Sequence, residues 1–293
     1  MKHWCYTGAV PVPSPEPEHH TVSLGQTRIH YVVAGTGPTW LLVHGMMGSW
    51  RNFAAWWPLF TAHFRVVVPD LPGCGQSPEL TGPHSGAANA DALRALARNL
   101  PIEPVGVAAL GLGAAPTIAA LVSGLPAQHL VVYSPVYGSM TVRTRFRLIV
   151  RLARPRRVTA GLAWLARQER ALNSLSRWLG QEAGSDEGAP HASSTSGDVR
   201  RASVRAALEL VHDAVTRDQR PQLARLATPT LALAAPDDPL LPASATLAIP
   251  HLMPRAQAVL LPPARHGWPP HVVAAQMESI ARFLGLPDVP VGG

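Results

Sequence analysis

Short apolar runs of strand length recur along this chain with helix-like segments between them, and that rhythm restricts the fold more than any other feature. Trp40–Val43, Arg65–Pro69, Val105–Leu110, Leu130–Tyr133, Thr230–Ala234 and Ala258–Leu261 are such runs. The spacers hold helix candidates at Phe53–Phe60, Ala90–Leu100, Ala114–Gly124 and Val272–Leu284. Spacers of that length make βαβ crossovers, so most strands are expected to lie parallel. His20–Leu24 and Arg28–Ala34 instead form an opening hairpin around Gly25 and Gln26. The pattern predicts an α/β fold, a mostly parallel sheet flanked by helices. At 293 residues, 47% of them hydrophobic, the chain suits one large domain with an insertion.

Residues 136–222 break the rhythm. They read as helical, with candidates at Arg143–Leu152, Leu162–Trp178 and Val199–Val215, interrupted by a Gly/Ser/Asp/Glu stretch from Gly180 to Gly197 that is expected to be a mobile loop. This block is expected to be a helical lid inserted into a core made of residues 19–135 and 223–293. Residues 1–18, with prolines at 11, 13, 15 and 17, are expected to form an extended or disordered tail.

The net charge of +7 is concentrated in the lid. Between Met140 and Gly180 stand ten arginines and one acid, Glu169, whereas the whole protein has a single lysine, Lys2. Such a stretch is either a solvated helix face or a surface for an anionic substrate, an acidic carrier or a membrane face. The two cysteines, Cys5 and Cys74, make no disulfide framework. With no signal-like leader and no run of 18 apolar residues, the protein is expected to be cytoplasmic and to have no membrane span. No zinc spacing, phosphate loop or dinucleotide fingerprint is present, so neither metal, cofactor nor nucleic acid is expected.

Two motifs carry the functional reading. His44-Gly45-Met46-Met47-Gly48-Ser49-Trp50 directly follows a buried strand, and Pro69-Asp70-Leu71-Pro72-Gly73-Cys74-Gly75-Gln76-Ser77 follows the next. In that order and at that separation they resemble the α/β-hydrolase superfamily, with its His-Gly loop and its "PDLPGxGxS" loop. From Thr21 to about Leu284 the resemblance covers nearly the whole chain, the lid least. It implies the α/β-hydrolase fold, with the N–H groups of Met46 and Leu112 as an oxyanion or anion site. His44 is expected to pack or hydrogen-bond beneath its loop, and Asp70 to tie the Gly/Pro-rich loop rather than to catalyse.

At the family's nucleophile elbow, G-x-S-x-G, this chain reads Ala109-Leu110-Gly111-Leu112-Gly113. Gly111 therefore occupies the nucleophile position and has no side chain with which to attack. Glycine suits the positive φ of that turn, so the elbow can persist without its chemistry. The resemblance also implies an acid at Asp238, with Asp237 as the fallback, in the loop Ala235-Pro236-Asp237-Asp238-Pro239. His266, in Ala264-Arg265-His266-Gly267-Trp268, then holds the catalytic histidine's position, although Arg265 replaces the usual glycine. Ser134, at the end of a strand facing the same cavity, is the alternative nucleophile, and Cys74 a weaker one.

Loss of the nucleophile alone costs a serine hydrolase about a millionfold, and the rest of the site leaves roughly 10³–10⁴ over water. Three readings follow. His266 and Asp238 form a general-base dyad for hydrolysis of an activated ester or thioester, or for elimination or C–C cleavage. The protein is a catalytically inactive pseudoenzyme that binds a ligand or partner. Or it hydrolyses esters through a displaced nucleophile. The expected substrate is small and largely apolar, with an anionic handle if the lid arginines reach inward.

Overall fold

The computed structural model describes residues 15–25, 27–100, 102–153, 155–165, 168, 197–263 and 268–287. Eight strands form one sheet: β1 (Glu18–Leu24), β2 (Thr27–Ala34), β3 (Thr39–Val43), β4 (Arg65–Pro69), β5 (Gly106–Leu110), β6 (His129–Tyr133), β7 (Thr230–Ala234) and β8 (Ala256–Leu260). Their order is β1-β2-β4-β3-β5-β6-β7-β8. β1 and β2 pair antiparallel, β2 meets β4 antiparallel, and every other pair is parallel. This is the α/β-hydrolase fold. β1 starts at Glu18, one residue inside the stretch expected to be a tail, and the backbone is tied to the body earlier still: Trp57 Nε1 donates to the Pro15 carbonyl at 3.1 Å.

Alternation along the strands decides which helix covers which face. Leu41, Val43, Val67, Val107 and Ala109 point into one core with α2 (Gly86–Asn99) and α3 (Ala114–Val122). Their neighbours Trp40, Leu42, Val66, Val68, Ala108 and Leu110 point into the other, with α1 (Trp57–His63) and the last helix, Pro270–Leu284. Period-two side-chain alternation requires this division once both faces are buried. The expected helix at Phe53–Phe60 is instead a 3-10 turn, Trp50–Phe53, followed by α1. Pro58, which has no backbone N–H to lose, stands in the first turn of α1, where proline favours a helix start.

Above the strand ends lie α4 (Thr144–Leu152), α5 (Arg156–Leu165) and α6 (Val204–Thr216). The helix expected at Val199–Val215 is broken at Ala202 and Ser203: residues 197–201 are helical, and Ser203 caps α6 by accepting from the Ala206 N–H. The Gly180–Gly197 stretch, apart from Gly197 itself, and most of Leu162–Trp178 lie outside the described residues. A third apolar cluster joins α6, through Leu210, Val211, Ala214 and Val215, to Leu112 and Ala115 around the start of α3 and to Leu240 and Leu241 after β7. No helix among the described residues is long and apolar enough to cross a membrane.

Two glycines at the end of β5 hold the local geometry for different reasons. A Cβ on Gly113 would lie 2.2 Å from the His44 carbonyl oxygen and 2.9 Å from that of Val43, so α3 starts in backbone contact with the loop after β3. Gly111 has φ +49°, yet a Cβ there would meet only Leu241 Cδ1, at 3.9 Å. Gly113→Ala should therefore cost about 3 kcal/mol or more through a backbone clash. Gly111→Ala should cost only about 1 kcal/mol, for its left-handed backbone. Urea unfolding of both variants checks this, and equal midpoints would contradict it.

Candidate active site

The crevice above β3 and β5 is where the sheet's connections part. From β3 the chain crosses to β4 on one side, and from β5 to β6 on the other. Open parallel sheets bind ligands at such a switch point. The loop after β3 and the turn after β5 meet there: besides the Gly113 contact, a Cβ on Gly45 would be 3.3 Å from the Leu110 carbonyl.

His44 secures this floor. It is fully buried; Nδ1 donates to the Gly45 carbonyl at 2.8 Å, and Nε2 accepts from the Leu71 N–H at 2.9 Å. One nitrogen donating and the other accepting is the neutral imidazole. Burial accordingly lowers its pKa, against the opposing pull of Asp70 and of the Gly45 carbonyl. The ring thus links the loop after β3 to the loop after β4. Asp70 ties that second loop as expected: Oδ2 takes His30 Nδ1 at 2.8 Å and the Gln76 N–H at 2.9 Å, and Oδ1 takes the Trp50 N–H at 3.0 Å. Burial pushes its carboxyl up, but those donors outweigh it and the net shift is downward.

The other residues singled out in the sequence fall as follows. Gly111 begins the 3-10 turn Gly111–Gly113 between β5 and α3, and its carbonyl accepts from the Val136 N–H at 2.9 Å. Leu112 is buried in that turn, where first-turn N–H groups have no intrahelical partner. Met46 is 41% exposed on the facing loop, beside Met47 at φ +53°. Ser134 directly follows β6, buried, with φ +42° and its N–H donated to the Leu233 carbonyl at 2.9 Å. A left-handed serine is uncommon and marks strain that packing must sustain.

Asp238 is buried and Asp237 exposed. Asp238 Oδ1 accepts from the N–H groups of Leu240 at 2.8 Å and Leu241 at 2.9 Å, and Arg143 Nε binds its backbone carbonyl at 3.1 Å. Its charge reaches Tyr133, whose phenol is raised mainly by burial. His266 lies outside the described residues. Cys74 is buried, and its thiol is pushed up to about 12, chiefly by burial and then by Asp70. A thiol so protonated is no nucleophile, which removes the weaker alternative. Among the described residues no group of three or more His, Cys, Asp or Glu side chains is placed to hold a metal.

One participant was not anticipated. Asp198, at the start of the helical residues 197–201, is buried against the loop after β3: Ser49 Oγ donates to its Oδ2 at 2.5 Å, and Arg51 and Arg201 stand 3.7 Å from Oδ1. Burial raises its pKa, partly offset by Ser49 and Arg51. In sequence, an Asp before a helical run looks like a cap, and nothing there ties it to Ser49, 149 residues earlier.

A family model described as alpha/beta hydrolase family matches residues 40–280. The chain belongs to the alpha/beta hydrolase family. Within curated proteins it is similar to a soluble epoxide hydrolase of Corynebacterium sp. (strain C12), 34% identical over 94 residues, covering 32% of this chain and 33% of that one. It is also similar to the magnesium-chelatase 30 kDa subunit of Rhodobacter capsulatus, 41% identical over 64 residues, covering 22% and 20%. These matches thus span a third or less of the relatives' lengths. Solved structures sharing the alpha/beta hydrolase fold include a putative lipase from Acinetobacter baumannii AYE (TM-score 0.74, 19% identity, 92% of this chain and 91% of that). The enol-lactonase from Burkholderia xenovorans LB400 is another (TM-score 0.70, 14% identity, 91% and 100%).

The neutral, buried His44 makes a pH prediction. Its folded pKa is depressed, so below about pH 6.5 the unfolded chain takes up a proton that the folded chain refuses, and stability falls as pH falls. His84, also buried and depressed mainly by burial, adds a second proton of the same sign. Urea midpoints from pH 7.5 to about 5 should decline, and His44→Asn should flatten part of that slope. A native profile flat across this window would contradict the assignment.

Proposed function

We propose that this chain is an alpha/beta-hydrolase-fold enzyme that works without a covalent intermediate at Gly111. His266 is the general base, Asp238 orients it, and the N–H groups of Met46 and Leu112 receive developing negative charge. The observation that carries this reading is the treatment of Asp238. Of two adjacent aspartates, the buried one has its Oδ1 fixed by two backbone N–H groups, which sets a single carboxylate orientation. A carboxylate that must orient an imidazole needs that rigidity. The turn at Gly111 supports it from the other side: it keeps space for a side chain that the sequence does not supply.

For an activated ester or thioester the step is as follows. His266 accepts a proton from water as the water oxygen attacks the carbonyl carbon. The carbonyl oxygen becomes an oxyanion facing the Met46 and Leu112 N–H groups. Collapse expels the alcohol or thiol, which takes the proton from His266. General-base catalysis supplies about 10²–10⁴, and orientation in the crevice adds to it. That suffices for substrates with good leaving groups, and the same base serves elimination or C–C cleavage. The substrate is small and largely apolar, since Leu112, Leu240 and Leu241 line the junction of lid and core. The names of its relatives, a soluble epoxide hydrolase and an enol-lactonase among them, fit hydrolysis of a reactive bond.

A second reading rests on Ser134, whose buried position just after β6 and strained left-handed backbone suit a displaced nucleophile. The two separate by mutation. Nitrophenyl esters and acyl thioesters should be turned over by the native protein and by Ser134→Ala alike, and His266→Ala should lose about a hundredfold or more. Loss in Ser134→Ala as well would favour the displaced serine. No turnover by the native protein would end the hydrolase reading and leave a lyase or a ligand-binding pseudoenzyme.

A further inference from the structure

The two lid helices α4 and α5 expose apolar side chains on their outer faces, where a protein surface is ordinarily polar. On α4, Phe146, Val150 and Ala153 lie on one stripe, with Val150 and Ala153 buried and Phe146 packed on the cluster beneath. A neighbouring stripe is Arg145, Leu148, Ile149 and Leu152; its three apolar side chains are 55%, 52% and 63% exposed. α5 follows after three residues and exposes Val158, Trp164 and Leu165, the tryptophan to 64%. Both helices rest on α6, and among the described residues no element packs on their outer stripes. Six of the ten exposed large apolar side chains among the described residues thus fall between Leu148 and Leu165. A concentration of that kind marks an interaction surface rather than scattered exposure.

Charge identifies the partner. Between Met140 and Leu165 the sequence has seven arginines and no acid. Among the described residues, none of Arg145, Arg151 and Arg157 has a carboxylate within ion-pair range. We propose that the outer face of α4 and α5 docks on an anionic lipid surface, with Leu148, Ile149, Leu152 and Trp164 at the headgroup–acyl boundary and the arginines among lipid phosphates. Amphipathic helices with arginine on the polar side and Leu and Trp on the other bind membranes in this way, lying in the interface without spanning it. A second copy of this chain would bring arginine against arginine. An acidic protein would satisfy the arginines and leave the apolar stripe without a reason. The inference is independent of the chemistry at Gly111.

The test is flotation of the full-length protein with vesicles of phosphatidylcholine alone and of phosphatidylcholine with about one third phosphatidylglycerol. Native protein should float with the anionic vesicles only, and less as salt rises. The variant Leu148→Ser, Leu152→Ser, Trp164→Ser should bind at least about tenfold more weakly while keeping the native thermal midpoint, because all three side chains are exposed. Replacing Arg145, Arg151 and Arg157 with Gln should each weaken binding about fivefold. Absence of native flotation with anionic vesicles would overturn the proposal. So would equal flotation by the apolar variant, which would leave charge alone as the cause. A concentration-dependent dimer that the apolar variant abolishes, without vesicle binding, would overturn it in favour of self-association.

Discussion

The crevice depends on one close approach, that of the backbone at Gly113 to the His44 carbonyl. It brings the start of α3 against the end of β3 more tightly than any side chain allows. His44 then fastens the loop after β4 through the Leu71 N–H, and Asp70 fastens that loop to Trp50 and His30. Three consecutive strand ends are thereby locked into one floor by backbone contact and buried hydrogen bonds, where an unpaired group would cost about 1–3 kcal/mol. None of these contacts needs a side chain at Gly111. The floor is structurally complete whatever stands there, which is why a chain with glycine at this turn keeps the fold.

The helices between β6 and β7 are joined to the floor in two ways of different character. α6 contributes an apolar seam against Leu112, Leu240 and Leu241. Residues 197–201 contribute a polar clasp, Asp198 on Ser49 with Arg51 and Arg201 beside it. The seam packs α6 on the turn after β5, and the clasp ties residues 197–201 to the loop that carries Met46. The outer face of α4 and α5 is given over to exposed Leu, Ile, Trp and Arg.

Much of the fold was legible because both faces of the sheet are covered. Apolar runs such as Val105–Leu110 and Leu130–Tyr133 could only be interior strands, and their spacing required parallel crossovers. The β3 and β4 loop motifs were legible for a related reason: Gly45, Gly73 and Gly75 answer local backbone demands that sequence records directly. Contacts made by tertiary packing were not. Nothing near Phe53 announces that a 3-10 turn precedes α1, and Ser203 marks a helix break only because the chain turns there to meet the Gly73 carbonyl. Ser134 looked like an ordinary strand end, since its left-handed backbone is imposed by neighbours from β7. Asp198 was not singled out, since its partner Ser49 is far away in sequence. The burial that disarms Cys74 is likewise a property of the assembled loops.

The proposed chemistry turns on whether any covalent intermediate forms, and intact-protein mass spectrometry after exposure to a fluorophosphonate tests that most directly. Non-covalent catalysis predicts no added mass on the native protein. It also predicts one adduct on Gly111→Ser, mapped to that residue, because a side chain there meets nothing closer than Leu241 at 3.9 Å. A stoichiometric adduct on the native protein, at Ser134 or elsewhere, would contradict it.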